Sequence, residues 1–305
     1  MTTTALDPLE HSLPANLSDR VLETAIGAAR RAGAIQMHHF RNEKLRCRRL
    51  LHDVKLETDR KCEQAIVAAI REQFPEHAIL SEESGALAGA GGYTWVVDPL
   101  DGTVNFWHGL PFFCVSIACY SDPGRPAGPG GRSDEPPGAP IAGVVFLPFS
   151  QELFVGLPGR GAFLNGRPIR VKRVERAADA VVTVSFGKNR QTMQGMTRRL
   201  DILLPRVRKA RCLGAAAAEL AYAAAGFIDG LIYEDIQLWD FAAGKIIIEE
   251  AGGFLEAVQT EPGHWRVLSG AVEVKQTLKQ AACTPSENQE LEDFYADQSS
   301  SWRRG

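Results

Sequence analysis

Between Val21 and Ile35 the apolar residues Val21, Leu22, Ala25, Ala29, Ala32 and Ile35 fall on one stripe at helical spacing. This predicts a helix that starts at a Ser18 cap and runs to about Phe40. A second stripe of the same kind, Cys62, Ala65, Ile66, Ala69 and Ile70, predicts a helix capped by Thr58, with Pro75 just beyond its end. The pattern then shortens into apolar runs of strand length at 78–80, 93–97, 112–120 and 141–146. Asn165-Gly166, set between Phe163-Leu164 and Arg167-Pro168-Ile169, carries a hairpin signal. The second half repeats the alternation: a strand at 181–185, a helix to about Leu204, a helix over 215–225 between Gly214 and Gly226, and a strand at 228–233. A helix over 239–251, ended by Gly252-Gly253, leads to strands at 253–257 and 266–268 and a last helix over about 271–281. Strands alternating with helices predict a layered α/β protein.

The stretches without such periodicity mark out the organisation. Residues 1–17 are polar and broken by Pro8 and Pro14, residues 284–305 are polar, and both read as loose tails. Residues 121–140 are rich in Pro and Gly between two strands, and read as a disordered insertion in place of a hairpin turn. What remains divides into an N-terminal α/β half, 18–172, and a C-terminal half, 173–283, that completes the site. A net charge of −3 over 305 residues supplies no basic field for nucleic acid. The six cysteines are scattered without a Cys-x-x-Cys pair, which reads as buried thiols in a reducing compartment. No apolar leader stands at the start, and the alanine-rich run at 215–225 is interrupted by Glu219 and is too short to span a bilayer. A cytoplasmic enzyme with no membrane or nucleic-acid partner is the expectation.

The chemistry concentrates in Trp95-Val96-Val97-Asp98-Pro99-Leu100-Asp101-Gly102-Thr103-Val104-Asn105-Phe106. An apolar strand is expected to end at Asp98, a proline to bend the chain, and Gly102-Thr103 to open a helix. Two carboxylates beside free helix-start amides suit a hard cation and a phosphate. Glu82 follows a short strand, Asp59 begins a helix, and Asp240 opens another, so each acid sits where α/β folds collect ligands. Singly, Asp59 and Asp240 also read as helix-start residues, Glu82 as a solvated turn and Asp98 as the residue before a turn proline. Gathered together they would repel strongly unless cations held them or some of them protonated. There is no Gly-x-Ser-x-Gly or Cys-x₅-Arg block to signal a nucleophile, and His38-His39 reads as a helical pair rather than a metal site.

Four blocks, in order, carry a resemblance. They are Asp53-Val54-Lys55-Leu56-Glu57-Thr58-Asp59, then Ser81-Glu82-Glu83-Ser84, then the stretch from Trp95 to Phe106, and last Leu238-Trp239-Asp240-Phe241-Ala242-Ala243-Gly244. Over about Ser18 to Ala282 the chain resembles the inositol monophosphatase family of Mg²⁺-dependent, lithium-sensitive phosphatases. The resemblance implies an αβαβα sandwich with mixed sheets between helix layers, and a homodimer. It implies a small phosphorylated metabolite as partner and two or three Mg²⁺ per site. Glu82, Asp98 and the Leu100 carbonyl would bind the first ion; Asp98, Asp101 and Asp240 would bind the second; Glu82 and water would bind a weaker third. Gly102 and Thr103 would offer amides to the phosphate, and Asp59 and Thr103 would form a hydrogen-bonded pair near the attacking water. Gly214 and Ala215 would form the substrate loop, and Glu234, or its neighbour Asp235, would face a substrate hydroxyl. Three features depart from the family pattern: Lys55 and Leu56 replace a Val-Thr pair, Ala215 replaces a hydroxyl residue, and the interval from Tyr233-Glu234 to Asp240 is one residue short. Inositol 1-phosphate is the first expected substrate. Histidinol phosphate, fructose 1,6-bisphosphate and 3′-phosphoadenosine 5′-phosphate are the alternatives, and a catalytically silent binding platform is the non-enzymatic one. Lys188, Arg190 and Arg211 are the candidates to grip a second phosphate.

Overall fold

The computed structural model describes residues 17–41, 47–49, 54–121, 138–187 and 189–282. The expected tails except Leu17, which opens the first helix, most of the 121–140 insertion, Asp53 and Lys188 lie outside the described residues. Seven α-helices are described: α1 (Leu17–His39), α2 (Glu57–Gln73), α3 (Thr103–Trp107), α4 (Arg190–Leu203), α5 (Ala216–Ala224), α6 (Leu238–Glu250) and α7 (Lys275–Ala282). The strands of the first half are β1 (Cys47–Arg49), β2 (Val54–Leu56), β3 (Ala78–Ser81), β4 (Gly85–Leu87), β5 (Tyr93–Asp101), β6 (Cys114–Ser121), β7 (Ala139–Leu147), β8 (Glu152–Leu157), β9 (Gly161–Leu164) and β10 (Arg167–Ile169). Those of the second half are β11 (Val181–Val184), β12 (Lys209–Arg211), β13 (Gly230–Ile236), β14 (Phe254–Glu261) and β15 (His264–Gly270). Apart from the small β1–β2 ladder, they form an eight-stranded sheet, order β10-β9-β8-β7-β6-β5-β3-β4, and a five-stranded sheet, order β12-β11-β13-β15-β14. Both are mixed: β3 runs parallel to β5, and β11 parallel to β12 and β13, while the other pairs are antiparallel.

Strand alternation sorts the core into layers. On the large sheet Trp95, Val97, Val115, Ile117, Cys119, Val144 and Val155 pack with the apolar stripes of α1 and α2. Their neighbours Val96, Cys114, Ala118, Tyr120, Val145 and Phe154 point the other way, onto α5 and α6. The small sheet covers the far side of α5 and α6 with Leu231, Tyr233 and Val267, and turns Val182, Ile232 and Leu268 toward α4 and α7. The result is the expected helix–sheet–helix–sheet–helix sandwich. Buried between two sheets, α6 is apolar nearly all round, and α5 is built largely from alanine. The close fit shows at Gly156 of β8, where a Cβ would come within 2.7 Å of the Ile247 Cα in α6.

Most expected elements are present with boundaries shifted by one to three residues, and Asn165 (φ 48°) and Gly166 (φ 75°) make the two-residue hairpin between β9 and β10. Three corrections stand out. The strand expected to stop at Asp98 continues through Pro99 to Asp101. The last helix is preceded by a 3-10 turn at Val272–Val274. The strands β4, β8 and β12 were not anticipated; β8 was passed over although Pro158-Gly159 closes it, and β4 and β12 have three residues each. The thiols of Cys62, Cys114 and Cys119 are free and buried, whereas Cys212 is exposed.

The contact at Gly156 gives the first expectation. Gly156→Ala forces a methyl into helix backbone and lowers unfolding free energy by about 1–3 kcal/mol. Gly27→Ala, on α1 with nothing within 4 Å of the new methyl, is neutral or stabilising. Denaturant unfolding of the two variants checks both.

Candidate active site

The large sheet delivers three acids to one place because β3 and β5 lie side by side. Glu82 follows the end of β3, and its N–H donates to the Val97 carbonyl at 3.3 Å. The turn after it is tied down by Glu63 of α2, whose carboxylate accepts from the Ser84 N–H at 2.9 Å and the Ser84 hydroxyl at 2.5 Å. Along β5, Asp98 pairs with Ser116 of β6 and Asp101 with Cys114, so Pro99 and Leu100 together face the single residue Val115. That is a β-bulge. In a regular strand, residues three apart point to opposite faces. The extra residue turns Asp98 and Asp101 into the same pocket. The proline fits here because it has no N–H to offer a ladder.

The bulge's polar groups are satisfied locally. The Leu100 N–H donates to Asp98 Oδ1 at 3.0 Å, and the Thr103 hydroxyl donates to the Leu100 carbonyl at 2.9 Å. Gln36 of α1, fully buried, donates its Nε2 to the Pro99 carbonyl at 2.8 Å. Gly102 then takes φ 88° as the N-cap of the five-residue α3. A Cβ there would meet the Phe112 carbonyl oxygen at 3.0 Å and the Ala215 Cβ at 3.1 Å, so the position requires glycine on both counts.

The second half closes the site. Asp240 lies in the first turn of α6, where its Oδ2 accepts from the Gln237 N–H at 2.7 Å. Asp101 accepts from the first amides of α5: Ala216 N at 3.1 Å on Oδ1, and Ala217 N at 2.8 Å on Oδ2. The loop before α5 is anchored by Asn105, whose Nδ2 donates to the Leu213 carbonyl at 2.7 Å and the Phe112 carbonyl at 2.9 Å. From beneath, the buried Glu219 accepts from the Gly214 N–H at 2.9 Å and the Tyr233 hydroxyl at 2.5 Å.

A pocket of about 270 Å³ results, and Glu82, Asp98, Leu100, Asp101, Gly102, Thr103, Gly214, Glu234 and Asp240 all line it. Asp59 and Ala215 are not in its lining. Asp59 is buried in the first turn of α2, and the Thr103 proton goes to the Leu100 carbonyl rather than to it. Glu234 is buried and committed to two arginines, with Arg266 Nε at 2.6 Å and Arg199 Nε at 3.2 Å. Its neighbour Asp235 sits at a second irregularity, between β13 and β15, with φ 59°, and pairs with His264 at 2.5 Å. Arg190 and Arg211 are outside the lining. Sequence reasoning did not assign Gln36, Glu63, Asn105 or Glu219. Two of them carried a signal: Gln36 falls on the apolar stripe of α1, and Glu219 interrupts an otherwise apolar helix.

Crowding dominates the electrostatics. Asp98 is held well above the usual carboxylate range by burial, and further by the charges of Glu82, Asp101 and Asp240. Burial raises Asp101 to about 7, against the lowering effect of the α5 amides and the Cys114 thiol. The donors are all oxygens, the set that a hard divalent cation takes. Among the described residues no three His, Cys, Asp or Glu side chains converge tightly enough to coordinate one ion. Glu82, Asp98, Asp101 and Asp240 nevertheless line one pocket.

A carboxyl whose folded pKa exceeds its unfolded value near 3.9 binds its proton more tightly when folded. The associated stability is full below the unfolded pKa and is lost as pH rises through the folded one. The protein stripped of metal is therefore expected to lose melting temperature from about pH 4 to pH 7. Asp98→Asn removes one repelling charge and raises the melting temperature in EDTA at pH 7.5. Calorimetric scans of both proteins across this range check the direction.

Comparison with known proteins gives the chain a family. A family model described as the inositol monophosphatase family matches residues 17–291. Inositol monophosphatase 3 of Solanum lycopersicum is 37% identical over 246 residues, covering 78% of this chain and 85% of that one. The Nus factor SuhB of Pasteurella multocida is 36% identical over 254 residues, covering 82% and 89%. The solved inositol monophosphatase of Anabaena superposes with a TM-score of 0.71 at 32% identity, covering 86% and 94%. With acids from both halves around one pocket and the match spanning nearly the whole described chain, the protein belongs to the inositol monophosphatase family of phosphoric monoester hydrolases.

Proposed function

We propose that the chain hydrolyses inositol 1-phosphate with Mg²⁺, by attack of an activated water. The observation that carries this reading is the buried Asp98, crowded by Glu82, Asp101 and Asp240 in a pocket of oxygen donors. Glu82, Asp98 and the Leu100 carbonyl would hold one ion, and Asp98, Asp101 and Asp240 a second, with Asp98 shared; Glu82 would also serve a weaker third. Bound there, the ions lower the pKa of water, neutralise the phosphate oxygens and stabilise the leaving alkoxide.

The chain's own residues do the rest. Gly102 and Thr103 present backbone N–H groups to the phosphate; α3 has only five residues, so these amides matter more than a helix dipole. The Thr103 hydroxyl, held by the Leu100 carbonyl, keeps lone pairs with which to accept from a water and aim it in line with the ester. Asp59 is the acceptor we assign to the Thr103 proton when the Leu100 carbonyl serves a cation. Gly214 would border the substrate, while Ala215 leads into the α5 amides that hold Asp101. At the rim Glu234 is paired with Arg199 and Arg266, and Asp235 with His264 and Asn189, so either acid would meet a substrate hydroxyl while holding these partners. The described lining is acidic and neutral, which suits a neutral polyol monophosphate better than a bisphosphate. Histidinol phosphate, fructose 1,6-bisphosphate and 3′-phosphoadenosine 5′-phosphate remain the rivals. The homodimer and lithium sensitivity belong to this reading and rest on family resemblance; the cytoplasmic location rests on the sequence pattern.

Steady-state kcat/KM across these four phosphates at fixed Mg²⁺ tests it. Inositol 1-phosphate is expected to lead, EDTA to abolish turnover, and Asp98→Asn to lower kcat by at least roughly a hundredfold. Wild-type turnover by Asp98→Asn would remove Asp98 as the shared ligand. A second reading, a catalytically silent binding platform, is favoured by the relative named as a Nus factor; the absence of turnover with every ester would select it.

A further inference from the structure

We propose that Gln36 is a positioning residue for the bulge that presents Asp98, Leu100 and Asp101. The inference rests on the phosphatase reading above and adds to it a residue in neither the pocket nor the four sequence blocks. Gln36 lies on the buried face of α1, which is otherwise Val21, Leu22, Ala25, Ala28, Ala29, Ala32 and Gly33 apart from Asp19 in the first turn. An apolar residue would complete that face. Instead a fully buried amide donates through Nε2 to the Pro99 carbonyl at 2.8 Å and, more weakly, to the Cys114 carbonyl at 3.4 Å.

Those two carbonyls flank the irregularity. Pro99 is one of the two bulged residues on β5, and Cys114 is the β6 partner of Asp101. A bulge leaves its extra residue without ladder partners, and a buried carbonyl without a donor is costly. Gln36 supplies that donor from the layer behind the sheet, so it fixes the peptide between the two aspartates. Shifting this peptide would re-aim Asp98 on one side and the Leu100 carbonyl on the other. The amide's own Oε1 is buried with no hydrogen-bond partner, which offsets part of the bond's stability. Its contribution is therefore to the placement of the ligand-bearing peptide more than to the stability of the fold.

The test compares the full-length wild type with Gln36→Met, which keeps the length and volume of the side chain and removes the donor. Melting temperature in EDTA is expected to change by only a few degrees. Mg²⁺ affinity, titrated calorimetrically without substrate, is expected to weaken by about tenfold or more, the scale seen when partners behind a metal ligand are lost. With Mg²⁺ raised to saturation, kcat should recover toward the wild-type value. A folded Gln36→Met with wild-type Mg²⁺ affinity overturns the inference and leaves the phosphatase reading intact. A wild type that binds no Mg²⁺ overturns both. A measurement that needs no variant is the side-chain N–H resonance of Gln36 in the ¹⁵N-labelled wild type. It is expected to move with the same Mg²⁺ midpoint as the calorimetric signal, and a resonance that stays still through saturation overturns the proposal even if the methionine variant fails to fold.

Discussion

Too many carboxylates stand in too little water. Asp98 is almost fully buried and feels three other acids, a crowding that an apolar core would not tolerate without compensation. Much of the local structure reads as that compensation. The Leu100 N–H serves Asp98, the α5 amides serve Asp101, and the Gln237 N–H serves Asp240. Main-chain donors lower the cost of each charge without neutralising it. A net negative cavity remains, suited to cations and, through them, to a phosphate that the acids alone would repel.

Geometry follows from the same constraint. Each acid stands at an irregular point: Glu82 in the turn after β3, Asp98 and Asp101 astride a bulge, Asp240 in the first turn of a helix. Such points let a side chain leave the regular alternation of its element and still remain anchored at both ends. The anchors come from neighbouring layers. Helix α2 holds the Ser84 turn through Glu63, α1 holds Pro99 through Gln36, and α5 holds Asp101 through its amides. The site is thus a joint product of the large sheet, the three anchoring helices on its two faces, α6 with its Asp240, and β13 of the small sheet.

The rim obeys different rules. Glu234 belongs to a buried cluster with Arg199 and Arg266, where removing one partner would strand a charge. Asp235 occupies a left-handed backbone conformation at the break in the β13–β15 ladder, steadied by His264 and Asn189. The fold and its crowded acids leave the surroundings of Glu234 and Asp235 free to differ from one relative to another.

Local pattern determined much of this protein. Helical stripes, strand runs and the Asn165-Gly166 turn were legible because burial imposes its period on any sequence that packs. The acids Glu82, Asp98, Asp101 and Asp240 were legible because their blocks are short and contiguous. Tertiary structure decided how they meet. No sequence period announces that Pro99 and Leu100 share one partner, since a bulge is defined by the opposite strand. Nor could Tyr233-Glu234 reveal that its acid faces two arginines, one 35 and the other 32 residues away. Gln36 and Pro99 are 63 positions apart and Asp101 and Ala217 are 116 apart. Contacts of that range exist only once the layers have stacked, because it is the stacking that excludes water and makes each donor necessary.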